Sequence, residues 1–185
     1  MDVYLEIIAT TFGILSVWFA RKNNILVFPT GIISVLLYTY ITYNNKIYAE
    51  TGINIYYFIM SVYGWVLWSS KNKKIKKVIS VSSKTESLIY FLICIGFYII
   101  LKLILEKTDS DVVILDSITT SISLTAMLLL ARRKLENWIY WIIADIIYIP
   151  LFIYKGLYIT SIQYMVFLYL AIMGYVEWKN EIKNK

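Results

Sequence analysis

The sequence predicts an all-α integral membrane protein, with seven transmembrane helices arranged as two parallel three-helix bundles joined by a linker helix. Three observations predict it. Of the 185 residues, 59% are hydrophobic and only 16% charged, and the apolar residues gather in runs of about 18 or more, long enough to cross a hydrocarbon core about 30 Å thick. Two prolines and seven glycines leave little loop material, and the runs lack the polar-apolar alternation of a transmembrane β-barrel. Segments from the two ends of the chain also match one another at a constant spacing, which divides the spans into repeats.

The first span, 3 to 20, has no basic start and no small-residue cleavage motif before Arg21, so it reads as a retained helix and not a signal peptide. The second, 24 to 43, opens at Asn24. The third, 48 to 69, closes on Gly64-Trp65-Val66-Leu67-Trp68 and is followed by a lysine-rich stretch. The fourth, 87 to 105, is the linker helix, and an acidic loop leads from it to the fifth, 113 to 131. The sixth, 137 to 154, opens at Asn137, and the seventh, 157 to 178, closes on Gly174-Tyr175-Val176-Glu177-Trp178. The whole chain, 1 to 185, is then one membrane domain, with repeats over 1 to 70 and 113 to 180.

Seven spans put the termini on opposite sides, and basic residues decide which side is which. One side holds Arg21, Lys22, Lys71, Lys73, Lys74, Lys76, Lys77, Lys84, Arg132, Arg133, Lys134, Lys179, Lys183 and Lys185, which are 14 basic residues. The other holds Lys46, Lys107 and Lys155, with Lys102 near a span end, and its longest loop carries Glu106, Asp109 and Asp111. The amino terminus is therefore predicted outside and the carboxyl terminus in the cytoplasm. The net charge of +6 follows from this topogenic distribution and does not call for a nucleic-acid partner.

The chain has no histidine and a single cysteine, Cys94, within an apolar run. That excludes an internal disulfide, a cysteine metal cluster and catalysis by Ser-His, Cys-His or zinc chemistry. No glycine-rich Gly-Lys-Ser/Thr loop is present, so direct ATP drive is not expected. No enzyme activity, cofactor or metal site is predicted.

The repeat rests on Gly64 to Trp68 beside Gly174 to Trp178 and on Tyr48 beside Tyr158, all 110 residues apart. Asn24 and Asn137 differ by 113, and both preceding spans end in Ala-Arg, at Ala20-Arg21 and Ala131-Arg132. Units separated by an even number of spans have the same orientation in the membrane. Parallel repeats are a transporter architecture, with the substrate near the midplane between the halves.

Asp145 is the residue that points to a site. It stands in an otherwise uncharged span, about 12 Å from its start at ~1.5 Å per residue, where an ionisable group is costly unless it meets a partner. Trp138, Trp141, Asp145, Tyr148 and Phe152 fall on one stripe about 80° wide, with Asn137 at the helix start. The third span presents Asn54, Phe58, Ser61 and Trp65 on one face with Tyr57 beside it; the seventh presents Gln163, Phe167 and Gly174, with Tyr164 at its edge. Rings that stack, amides that orient and one carboxylate suit a flat, polar, cationic organic molecule. Structural readings compete: interfacial anchoring for the aromatic residues, and interhelical hydrogen bonding for Asn54 and Gln163. Glu6 and Asp116, near the outer ends of their spans, are assigned to the surface or to structural contacts.

Glu136-Asn137-Trp138 followed by Trp141, Lys155-Gly156-Leu157-Tyr158, the closing Gly174 to Trp178, and Asp116-Ser117 with Ala126 resemble the carboxyl-terminal half of the PnuC family of vitamin transporters. Ile47-Tyr48-Ala49 and Tyr63-Gly64-Trp65 ending at Trp68 agree in the amino-terminal half, so the resemblance covers nearly the whole chain. It implies a fold like that of the sugar-transporting SWEETs and a homotrimer. It also implies import of nicotinamide riboside by facilitated diffusion across the inner, cytoplasmic membrane, with cytoplasmic phosphorylation trapping the product. The family's tryptophan motif maps onto Trp138, Trp141 and Asp145. Some members have asparagine where this chain has Asp145, and related branches carry thiamine, the alternative substrate. A seven-helix enzyme or receptor is the alternative class, and a single midplane carboxylate argues against an enzyme.

Overall fold

Seven helices follow one another in the computed structural model, which describes residues 2–71, 78–107 and 112–184. They are α1 (Asp2–Arg21), α2 (Val27–Asn44), α3 (Tyr48–Ser69), α4 (Lys84–Leu105), α5 (Val113–Ala131), α6 (Asn137–Tyr154) and α7 (Tyr158–Lys183). Lys73, Lys74, Lys76, Lys77, Asp109, Asp111 and Lys185 of the charge argument lie outside the described residues.

The third, fifth and sixth spans have the predicted ends, and the departures elsewhere have local causes. The second helix begins at Val27 and not at Asn24, because Asn24 belongs to the preceding turn and its Oδ1 accepts from the Leu26 backbone N–H at 2.9 Å. The fourth begins at Lys84, where Ser83 and Glu86 form a reciprocal capping box that satisfies two backbone donors of the first turn. The seventh continues to Lys183 through a polar last turn and a half.

Five helices, α1, α4, α5, α6 and α7, are long and apolar enough to cross a membrane. The other two match them in length, 18 and 22 residues, but tyrosine, threonine and asparagine lower their hydropathy. Tyrosines of this kind are at home at a membrane interface.

The chain divides into two compact units, residues 1–78 with 131–133, and residues 79–130 with 134–185. In the first unit, α2 packs on both α1 and α3. Small residues permit this: a side chain at Gly31 would meet Ser16 Oγ at 3.0 Å, and one at Gly13 would meet Ser34 Oγ at 3.2 Å. The hydroxyls are occupied, Ser16 donating to the Val27 carbonyl at 2.8 Å and Ser34 to the Ala9 carbonyl at 2.8 Å. Small residues with satisfied hydroxyls are the usual means of close packing between helices in lipid.

In the second unit α6 packs on α7, and α5 is the most deeply buried of the membrane-length helices. Its buried side chains include Ser117, Thr119, Thr120, Ser121, Ser123 and Thr125. Most of these hydroxyls turn back onto their own helix: Thr119 to the Leu115 carbonyl at 2.8 Å, Ser123 to that of Thr119 at 3.0 Å, Thr125 to that of Ser121 at 2.8 Å. Back-bonding lets most of a polar stripe be buried with its donors satisfied; the exception is Ser117, whose hydroxyl is buried without a partner. The fourth helix belongs to this unit; only Tyr90 and Leu101 of it are buried, and a broad apolar face is exposed, as on a helix facing lipid. Its amino-terminal approach is held by the α5–α6 turn: Ser82 N–H and Oγ donate to Glu136 at 2.7 and 3.0 Å, and Lys134 Nζ pairs with Glu86 at 2.8 Å.

Several local features recur at an offset of 110 residues. Left-handed backbone recurs at Asn23 and Arg133, φ 50° and 55°, and at Lys46 and Gly156, φ 60° and 74°. Phe28 stands edge-on to Trp68 with centroids 4.9 Å apart, and Trp138 stands edge-on to Trp178 at 5.5 Å. Each of the first rings lies on a glycine, Phe28 on Gly64 and Trp138 on Gly174. Thr10 shares a hydrogen bond with Tyr38, and Thr120 shares one with Tyr148. This register pairs Asn137 with Val27, correcting the pairing of Asn137 with Asn24. The mismatch arises because Asn24 sits in the turn, where its counterpart is Lys134.

Candidate functional site

The sixth helix contributes most of the residues that its sequence singled out, and its burial pattern follows the stripe. Asn137, Trp138, Ala144, Asp145 and Leu151 are buried, whereas Ile139, Ile143, Ile146 and Ile153 are exposed. At 2% exposure, Asp145 is the one buried residue with an ionisable carboxyl among those described, and no described side chain or backbone group bonds or pairs with it. A carboxyl in that position is unsatisfied by the protein itself.

One turn before it, Trp141 is half-buried and makes no ring contact or hydrogen bond with any described residue. Three residues after it, Tyr148 enters a group of rings. Its centroid lies 4.7 Å from Tyr164 and 5.5 Å from Phe152; Phe152 stacks on Tyr164 at 5.0 Å and 26°, and Phe167 meets Tyr164 edge-on at 5.7 Å. The α6 stripe thus meets the α7 face carrying Tyr164 and Phe167. Gln163, half-buried beside Tyr164, has no hydrogen bond to a described residue.

Trp138 occupies a different environment. A Cβ placed on Gly174 would come within 2.6 Å of its six-membered ring, and its edge contact with Trp178 is described above, so the indole is a packing element at the amino-terminal end of α6. Its Nε1 is nevertheless buried without a partner, as is Asn137 Oδ1. The Asn137 amide nitrogen donates to the Lys134 carbonyl at 2.7 Å, closing the turn before α6.

Asn54 and Tyr57 lie on α3, in the first unit. Asn54 Nδ2 donates to the Glu50 carbonyl one turn earlier at 2.9 Å, and Tyr57 stands edge-on to Tyr56 at 6.1 Å. The α2 position equivalent to Asp145 is Val35, and that equivalent to Trp141 is Gly31, already filled against by Ser16 and Ser61. The carboxyl and the free indole are therefore particular to the second unit. Asp116 makes a structural contact: Lys155 Nζ reaches its two oxygens at 2.7 and 2.9 Å, tying the start of α5 to the turn after α6. Glu6 is exposed. Among the described residues no three His, Cys, Asp or Glu side chains group as metal ligands.

Sequence reasoning missed Thr120, which reaches the stripe from α5. Its signal was present in the repeat: Thr10 and Tyr38 are 28 residues apart, as are Thr120 and Tyr148.

Comparison with known proteins agrees with this architecture. The chain is 25% identical to the nicotinamide riboside transporter PnuC of Escherichia coli (strain K12) over 209 residues, covering 98% of this chain and 87% of that protein. It is 26% identical to the protein of the same name from Neisseria mucosa over 196 residues, covering 99% and 74%. The crystal structure of the vitamin B3 transporter PnuC matches with a TM-score of 0.78 at 24% identity, covering 99% of this chain and 83% of that one, which shows the fold. The model of the nicotinamide mononucleotide transporter family matches residues 3–180. The chain belongs to that family, the PnuC family of multi-pass membrane transporters.

Proposed function

We propose that this chain imports nicotinamide riboside by facilitated diffusion, with alternating access to one site carried chiefly by the second unit. The observation that carries the reading is Asp145, a buried carboxyl unpartnered by the protein, one turn from a free half-buried indole and three residues before Tyr148, whose ring lies against Tyr164. A pyridinium monocation supplies what each group lacks: charge for Asp145, a ring face for Trp141, and amide and hydroxyl groups for Gln163. Trp138 and Asn137 support the amino-terminal end of the same helix. The curated relatives are named for the riboside, whereas the family description names the mononucleotide. Charge favours the riboside. A phosphate would bring negative charge toward Asp145, and the buried polar residues among those described include no lysine or arginine to receive it.

The asymmetry of basic residues supports a cytoplasmic-membrane orientation with the amino terminus outside, and assembly as a homotrimer belongs to the same reading. Titration calorimetry of the purified protein with nicotinamide riboside, its mononucleotide and thiamine tests the substrate. Binding of the riboside alone, with saturable flux into proteoliposomes, is expected. Tighter binding of thiamine or of the mononucleotide would overturn the assignment, and uptake accompanied by proton movement would overturn facilitated diffusion.

A further inference from the structure

The two units build the same threonine-tyrosine contact for different ends, and the difference exposes a residue acting on the site from a distance. In the first unit Thr10 Oγ1 and Tyr38 Oη are 2.7 Å apart. At the α3 position corresponding to Tyr164 stands Asn54, whose amide is turned onto its own helix. Tyr38 is thus a tie between two helices. In the second unit Thr120 Oγ1 and Tyr148 Oη are 3.4 Å apart, and the Tyr148 ring also lies against Tyr164 and Phe152 on its other side. Tyr148 is therefore held at its hydroxyl end by α5 and along its ring by α7, three residues from the buried carboxyl of Asp145. Thr120 itself is 9% exposed.

We propose that Thr120 is a positioning residue for the transported molecule: its hydroxyl, 3.4 Å from Tyr148 Oη, biases the tilt of the Tyr148 ring, and with it the surface on which a flat cationic heterocycle lies beside Asp145. The proposal rests on the reading of Asp145 and Tyr148 as part of the substrate site. A ring packed against two others has several near-equivalent tilts, and one polar contact at its far end selects among them. The length of the contact leaves it open to adjustment when a ligand enters. The first unit, whose tether is short and whose neighbouring ring is absent, has no such adjustable surface.

A double-mutant cycle tests this on the full-length protein. Thr120→Val keeps the shape and removes the hydroxyl; Tyr148→Phe keeps the ring and removes its partner. Each is expected to weaken nicotinamide riboside binding about fivefold, the scale of one neutral hydrogen bond. The double variant should be no weaker than either single one, and Thr120→Ser should restore affinity. Wild-type affinity in Thr120→Val, or losses that multiply in the double variant, would overturn the tether. A loss of thermal stability in Thr120→Val without change in affinity would also overturn it, since the contact would then be structural, as at Thr10. If the wild-type protein binds thiamine and not the riboside, the substrate reading fails, and the same cycle run with thiamine still decides the role of Thr120.

Discussion

Replacing Asp145 by valine installs the residue found at the equivalent place in the first unit, Val35, and separates binding from stability. The carboxyl is 2% exposed and meets no described partner, so in the empty protein it is a liability: burying an unsatisfied polar group costs about 1–3 kcal/mol. The substitution is expected to raise the unfolding free energy by an amount on that scale, visible as a higher midpoint in thermal unfolding of the detergent-solubilised protein. Its effect on ligand is opposite and larger. A cation about 4 Å from a carboxylate gains roughly 4 kcal/mol at an effective dielectric constant near 20, and discounting for the desolvation of both groups leaves a loss of about a hundredfold in affinity. Asp145→Asn divides the effect, since it keeps the hydrogen-bonding shape and drops the charge; a loss of about tenfold is expected. Calorimetry and thermal unfolding on the same preparations measure both quantities. Riboside affinity unchanged in Asp145→Val would refute the assignment of the site, and a fall in stability would refute the claim that the carboxyl is unsatisfied.

Other consequences concern packing and backbone. Gly174→Ala forces a methyl against the Trp138 ring and Gly64→Ala forces one against Phe28, so each should destabilise by about 1–3 kcal/mol, whereas Gly52→Ala and Gly96→Ala, with open space around them, should be neutral or stabilising by under ~1 kcal/mol; thermal unfolding distinguishes the pairs. Lys46 and Gly156 share left-handed backbone, which predicts that Lys46→Gly is tolerated or stabilising and that Gly156→Ala costs about 1 kcal/mol. Lys155→Met should lower stability by no more than ~1 kcal/mol, because its ion pair with Asp116 is partly solvated, and high salt should produce a similar loss in the unsubstituted protein.

Most of the fold was legible because lipid imposes two coarse rules, apolar length and charge placement, which this sequence states clearly. The sixth span could be drawn to the residue for that reason. The start of α2 could not, since Asn24 and Val27 stand in the same apolar neighbourhood and only the turn closed by Leu26 N–H on Asn24 Oδ1 separates turn from helix. The stripe on α6 was also legible, but helical spacing gives direction and not neighbours. Trp138 and Trp141 lie on one face, about 60° apart, yet the first rests on Gly174 and the second is free. The glycine opposite Trp138 was the information that distinguished them, and it resides on another helix. Thr120 was hidden by its type, because a threonine in a polar stripe of α5 looks like its back-bonding neighbours.

The ring-on-glycine contacts bear on what each half can tolerate. Phe28 and Trp138 stand 110 residues apart, as do Gly64 and Gly174, so one arrangement is met by two rings of different size over the same residue. Drift at the ring is permitted as long as the floor stays flat, and a side chain gained on the floor would have to be answered at once by a smaller residue above it. The two halves could therefore part in chemistry, one gaining a carboxyl and a free indole and the other keeping valine and glycine, while each retained the contact that holds its helices in register.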